Sequence, residues 1–183
     1  MVNGIEMLEL ISQRQSDRKY SDRPVEQEKL ERITEAGRLA PSACNAQPWK
    51  FIVVTDPEVL AGVASAASAK LLGMNTFVAQ ARVFIIIVRE NPNVSSKIGG
   101  GVKDKDYSYI DIGIAAENIC LQAKAEGLGS CIIGWFDEKR MRKALNIPSS
   151  KRIPVIISIG YPEGETREKR RKPSDQTVSF NSY

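Results

Sequence analysis

The chain contains no histidine, and that absence excludes whole classes of chemistry. Zinc sites draw on Cys and His, and Ser-His-Asp or Cys-His nucleophiles need an imidazole as base. Cysteine is scarce as well. Cys44, Cys120 and Cys131 form no CxxC pair, and three scattered thiols fit a reducing compartment better than a disulfide framework. No apolar run approaches the roughly 20 residues of a membrane-spanning helix. The opening MVNGIEMLEL carries acidic residues where a signal peptide has positive ones, so a cytoplasmic protein without membrane contact is expected. Aromatics are few, at 7%, and none interrupts the basic run REKRRK at 167–172; a nucleic-acid role for that run lacks stacking residues.

What is present is ordinary in bulk and uneven in detail. At 183 residues, 42% hydrophobic and 26% charged, the chain has the size and composition of one globular domain spanning 1–183. The net charge of +4 is modest, but the positive residues gather in RQSDRK (14–19) and in REKRRK. A basic run by itself marks a solvated tail, and Glu163, Glu165 and Glu168 dilute the second one across a C-terminal tail at 163–183.

Periodicity orders the elements. Met7, Leu8, Leu10 and Ile11 give a short amphipathic helix. Leu30, Ile33, Gly37 and Ala40 recur at helical spacing, predicting a helix over 26–39 that stops at Pro41. KFIVVT (50–55) reads as a strand, and Asp56 before Pro57 starts a helix running to about Lys70. RVFIIIV (82–88) is too short for a helix of its own and reads as a buried strand. Residues 89–107 are polar with three consecutive glycines, the composition of a lid or loop. The helix expected over 108–126 is apolar nearly all round, interrupted by Asp111, Glu117, Gln122 and Lys124, with Gly127 as its stop. Such a helix needs cover on several sides, and a partner subunit is the natural cover. SCII and IPVIISIG are two more strands, separated by a helix that Asp137 caps and Asn146 and Pro148 end.

Five motifs then appear in order: RxSxR (Arg14, Ser16, Arg18), PSxxNxQPW (41–49), GLGSCIIG (127–134), IPVIISIGYP (153–162) and KxRxP (169–173). Together they resemble the FMN-dependent nitroreductase family from about Arg14 to Pro173. The resemblance implies an α+β, nitroreductase-like fold: a central, mostly antiparallel sheet flanked by helices, in an intertwined homodimer with FMN in each of two interface clefts. It implies an oxidoreductase that takes a hydride from NADH or NADPH and passes it to a small-molecule acceptor, a nitroaromatic or quinone, in ping-pong fashion. A reductive dehalogenase or ring-modifying enzyme on the same scaffold is an alternative that the 89–107 segment would serve. A nucleic-acid binder using the basic tail is the non-enzymatic one.

The parts of FMN make separate demands. Its phosphate prefers the planar donor fork of Arg, and Arg14, Ser16, Lys169 and Arg171 supply the donors if both chain ends meet. By resemblance, Arg18 lies near flavin N1 and O2, where a cation stabilises developing negative charge. Gln15 stands where many relatives have Arg or His. Ile133 and Gly134 match the segment whose backbone N–H faces N5, with Ile133 where many relatives place an acid. Pro41, Ser42, Ala43 and Asn45 match the loop that walls the flavin of the other subunit, and Gln47, Pro48 and Trp49 brace it. Cys44 has no histidine to lower its pKa, so no residue is singled out as catalytic.

Overall fold

In the computed structural model, which describes residues 4–68, 74–91 and 106–183, the chain builds one sheet of four strands: β1 (Trp49–Val54), β2 (Val83–Arg89), β3 (Gly129–Ile133) and β4 (Arg152–Gly160). Their order is β1-β2-β4-β3, and every neighbouring pair is antiparallel. Five α-helices surround it among the described residues: α1 (Gly4–Gln13), α2 (Gln27–Arg38), α3 (Pro57–Ala67), α4 (Tyr107–Ala125) and α5 (Glu138–Ala144).

The unbroken apolar runs of β2 and β4 follow from burial on both faces. On one face Ile85, Ile87, Ile157 and Ile159 pack with Leu30 and Ile33 of α2 and with Ile112, Ala115 and Ile119 of α4. On the other, Phe84, Ile86, Val88 and Ile156 pack with Val63 and Ala66 of α3 and Met141 of α5. An antiparallel sheet with one wet face would alternate; this one has no wet face to write in polar residues. α2 and α4 approach closely at Gly37, where a Cβ would stand 2.8 Å from Ile119 Cδ1.

Capping sets most of the helix starts. Asp56 accepts from the N–H groups of Glu58 and Val59, both at 3.0 Å, with Pro57 in the first turn. Asp137 accepts from Arg140 N at 2.9 Å, and Asp106 from Ser108 N at 3.2 Å. Gly127, at φ 76°, ends α4 as expected. α3 stops at Ala67, short of Lys70, which lies outside the described residues. Two 3-10 turns, Ala43–Asn45 and Thr76–Gln80, were not legible in advance. Of the 89–107 segment, Arg89 ends β2 and Tyr107 opens α4; 92–105 lie outside the described residues, and with them most of the expected lid.

The all-round apolar helix resolves into two faces. Ile119 is fully buried beneath α2, whereas Tyr109, Ile110 and Ile114 are exposed. The cover expected for this helix thus concerns one face of α4, not its whole circumference. α1 buries no residue at all and exposes Ile5, Leu8 and Ile11. The tail from 163 to 183 is exposed along its length apart from partly buried Lys169.

Candidate functional site

Both ends of the chain converge on the edge of the sheet at β3. The N-terminal segment leaves α1 and crosses that edge, with Asp17 N donating to Ser130 O at 2.9 Å and Ser16 bridging Ser130 in parallel. Gly129 permits the crossing, because a Cβ there would lie 2.8 Å from Asp17 Oδ2. Tyr20, buried, anchors the segment: its hydroxyl donates to Asp17 O at 2.7 Å and shares a hydrogen bond with Ser158 Oγ at 2.9 Å. The chain leaving β4 runs back along this segment, Ser21 N donating to Tyr161 O and Glu163 N to Lys19 O. It then reaches Gln15 and Ser16, where Arg167 N donates to Gln15 Oε1 at 3.0 Å and Arg167 Nη2 to Ser16 O at 2.6 Å. Lys169 Nζ donates to Ile11 O at the end of α1.

The result is a cavity of about 670 Å³ that takes in all six of the N- and C-terminal residues singled out from the sequence: Arg14, Gln15, Ser16, Arg18, Lys169 and Arg171. Arg167, Glu168 and Arg170 also line it. Sequence reasoning missed these three although the basic run contained them, because the KxRxP pattern singles out only Lys169 and Arg171, whereas five consecutive residues of the tail line the cavity. It missed Glu117 as well. Arg14 donates to Glu117 through Nε at 3.1 Å and Nη2 at 2.7 Å, a two-pronged pair that fixes the guanidinium against α4. Burial, together with the Arg14 and Arg171 guanidiniums, holds the Lys169 ammonium below its ordinary pKa. Cations crowded so that one gives up its proton more readily form a site that an anion relieves. The donor set, guanidiniums with an ammonium and a hydroxyl, is the one a phosphate dianion fits.

The two other groups of expected residues lie outside this cavity. Ile133 ends β3 with its side chain buried in the core, and Gly134 follows it, exposed and with nothing within 4 Å of a Cβ position. They lie about 10 Å along the same strand from the Ser130 crossing, at ~3.3 Å per residue. Asn75 supports this end of the sheet from a left-handed conformation, φ 56°, donating to Trp135 O at 2.8 Å and Ala67 O at 3.2 Å. Pro41, Ser42, Ala43 and Asn45 sit on the loop before β1, which the single chain does not bring to the cavity. There Cys44, Asn45 and Gln47 all adopt positive φ, at 53°, 51° and 45°. Gln47 N donates to Ser42 Oγ at 2.9 Å, and Ala43 N to Asp111 Oδ1 at 3.1 Å. Pro48 and Trp49 are buried, and Trp49 stacks on Phe51, in keeping with a bracing role.

Burial pushes the Cys120 thiol up to about 11 and raises Cys131 as well, so neither is poised as a thiolate. Among the described residues no group of His, Cys, Asp and Glu could hold a metal ion, and no helix is long and apolar enough to cross a membrane.

An antiparallel sheet buried on both faces, with a basic cavity built from both ends of the chain at its edge, defines an α+β protein with a composite, anion-attracting site. The sequence model of the nitroreductase family matches residues 11–72 and 64–161. A protein of Archaeoglobus fulgidus assigned as an NADH dehydrogenase/NAD(P)H nitroreductase is 36% identical over 164 residues, 87% of each chain. An NADH dehydrogenase of Thermus thermophilus is 29% identical, over 90% of this chain and 91% of its own. The solved structure of an FMN-dependent nitroreductase from Clostridium difficile superposes with a TM-score of 0.75 at 35% identity, covering 96% of this chain and 99% of that one. The chain belongs to the nitroreductase family, whose members are oxidoreductases.

Proposed function

We propose that the chain is an FMN-dependent NAD(P)H oxidoreductase that reduces nitroaromatics, quinones or similar acceptors, as a cytoplasmic homodimer of one-domain subunits with FMN at the interface. The observation that carries the reading is the convergence of Arg14–Arg18 with Arg167–Arg171 in one cavity, as a phosphate dianion needs. Relatives named for NAD(P)H and FMN agree with it.

When bound, FMN supplies hydride transfer between nicotinamide and acceptor, which no protein side chain here provides. The protein's part is placement. Arg14, Ser16, Lys169 and Arg171, joined by Arg167, hold the phosphate, and Gln15 positions Arg167 through its Oε1. Arg18, beside β3, offers its cation to the pyrimidine edge of the flavin. The exposed backbone at Ile133–Gly134 lets a flat ring approach without meeting a side chain. Pro41, Ser42, Ala43 and Asn45 wall the ring from the partner subunit. The second copy is supported by α1: no residue of this 10-residue helix is fully buried here, and isolated helices shorter than about 12–15 residues are marginal in water.

The chain has no histidine, we assign no dedicated proton donor among the described residues, and one cleft serves donor and acceptor in turn. Steady-state rates at several fixed NAD(P)H concentrations, with a nitroaromatic or quinone varied, should give parallel double-reciprocal lines. Intersecting lines would overturn the one-cleft account, and purified protein that takes up no FMN would overturn the whole reading.

A further inference from the structure

We infer that Asp111 is a positioning residue that latches the 42–47 loop in the shape with which it walls the flavin site; this rests on the reading of that loop given above. Asp111 lies on the second turn of α4 and is 4% exposed. Its Oδ1 accepts from Ala43 N, while its Oδ2 is buried and accepts from no donor among the described residues. A carboxylate away from water with one oxygen unsatisfied is costly, and an apolar side chain of similar size would fill the space at less cost. Packing therefore does not account for an acid at this position.

The other end of the hydrogen bond does. Ala43 opens the turn in which Cys44, Asn45 and Gln47 hold left-handed conformations. Non-glycine residues stay in that region only where their surroundings impose it, and such strain gathers at ligand-clamping loops. The bonds from Gln47 N to Ser42 Oγ and from Gln47 Nε2 to Asn45 Oδ1 give the turn its shape. They lie within the turn and do not fix its place on the protein. Pro48 and Trp49 hold its far end; the Ala43–Asp111 bond ties its near end to α4, and that post is rigid. Arg89 at the end of β2 donates through Nε to Ser108 Oγ at 2.7 Å and pairs through Nη2 with Asp106 Oδ2 at 2.6 Å, while Ile112 and Ala115 are packed in the core. Asp111 thus transmits the position of the sheet and α4 to a loop that would otherwise relax.

The exposed thiol of Cys44 sits inside the turn, and Cys120 and Cys131 are buried, so the rate of reaction with an aromatic disulfide reagent reports the loop in the full-length native protein. Asp111→Ala and Ala43→Pro, which removes the donor N–H, should each change the Cys44 rate by tenfold or more and weaken FMN binding at least tenfold in fluorescence titration. Asp111→Asn, whose amide oxygen can still accept from Ala43 N, should stay within about threefold of wild type in both. Ser42 already has the extended conformation, φ −145° and ψ 153°, that a following proline requires, so Ala43→Pro decides the matter if Asp111→Ala does not fold. Unchanged Cys44 rates in the folded variants, or Asp111→Asn behaving as Asp111→Ala does, would overturn the latch. An altered thiol rate with unchanged FMN affinity would overturn its role in positioning. Failure of the wild type to take up FMN would instead remove the flavin reading, and the thiol rates measured without FMN would still decide the latch.

Discussion

Replacing Arg14 with alanine separates the two tasks that its guanidinium performs. One is to link the end of α1 to Glu117 of α4 by two hydrogen bonds, 3.1 and 2.7 Å long, between side chains 24% and 38% exposed. Half-exposed pairs of this kind contribute about 0.2–1 kcal/mol, which lowers the melting temperature of a chain this size by no more than roughly 4 °C. The other task, under the proposed function, is to hold the FMN phosphate. A hydrogen bond to a charged group contributes about 1.5–3 kcal/mol, equivalent to an FMN Kd weakened roughly 10- to 150-fold at about 1.4 kcal/mol per decade. The upper part of that range is expected, because the variant also leaves unpaired the Glu117 carboxylate that met Arg14, a residue of the cavity lining. It follows that Arg14→Ala/Glu117→Gln should recover part of the lost affinity, although it restores no donor. Fluorescence titration with FMN and thermal melts without it measure the two tasks independently. An Arg14→Ala protein that melts normally and binds FMN within twofold of wild type would refute the phosphate assignment. A double variant no better than the single one would refute the repulsion argument.

Two isoleucines of α4, Ile114 and Ile119, should answer differently to charge. Ile114→Glu, on the exposed face, should leave the fold intact and yield monomers by analytical ultracentrifugation, whereas Ile119→Glu, fully buried, should not fold; a dimeric Ile114→Glu protein would move the subunit interface away from this face. At low pH, Glu126 should matter through its bond with Arg32, which holds the carboxyl at about 2 against an ordinary 4.5. A depressed carboxyl contributes stability that is complete above 4.5 and lost as pH falls through 2, so Glu126→Gln should flatten the stability profile between those values, and profiles that stay parallel would exclude the contribution.

The strands and most helix boundaries were legible because burial on two faces leaves an unmistakable apolar run, as in Val83–Arg89, and because Asp56–Pro57 and Gly127 punctuate the chain by local chemistry. Six of the nine residues that line the basic cavity were legible too, since RxSxR and KxRxP are composed of the side chains an anion requires. Their mutual approach was not. It depends on Gly129 and Gly160, where a Cβ would come within 2.8 Å of Asp17 and 3.0 Å of Tyr20, and sequence periodicity carries no sign of which chain passes over a glycine. Asp111 and Glu117 show the same divide. Both stood out as acids in an apolar helix, yet which of them faces Ala43 and which faces Arg14 is decided by the rotation of α4 against the sheet. The 42–47 turn lay beyond reach for a different reason: three left-handed residues none of which is glycine run against local preference, and only tertiary contacts explain them.

The composite cavity also imposes an order on the birth of the protein. Translation proceeds from the N-terminus at about 5–20 residues per second. By Gly160 all four strands and five helices described here have been made, including Ser130 of β3, which Ser16 and Asp17 meet, and Glu117 of α4, which Arg14 meets. Arg167, Lys169 and Arg171 follow, on a segment that contributes nothing to the core. Folding of the sheet and completion of the basic cavity are therefore separate events in the life of the chain. Because exposed terminal segments are where proteases cut first, they are separable again at its end: a single nick after β4 takes away four of the six cations of the cavity and leaves a sheet with every strand in place.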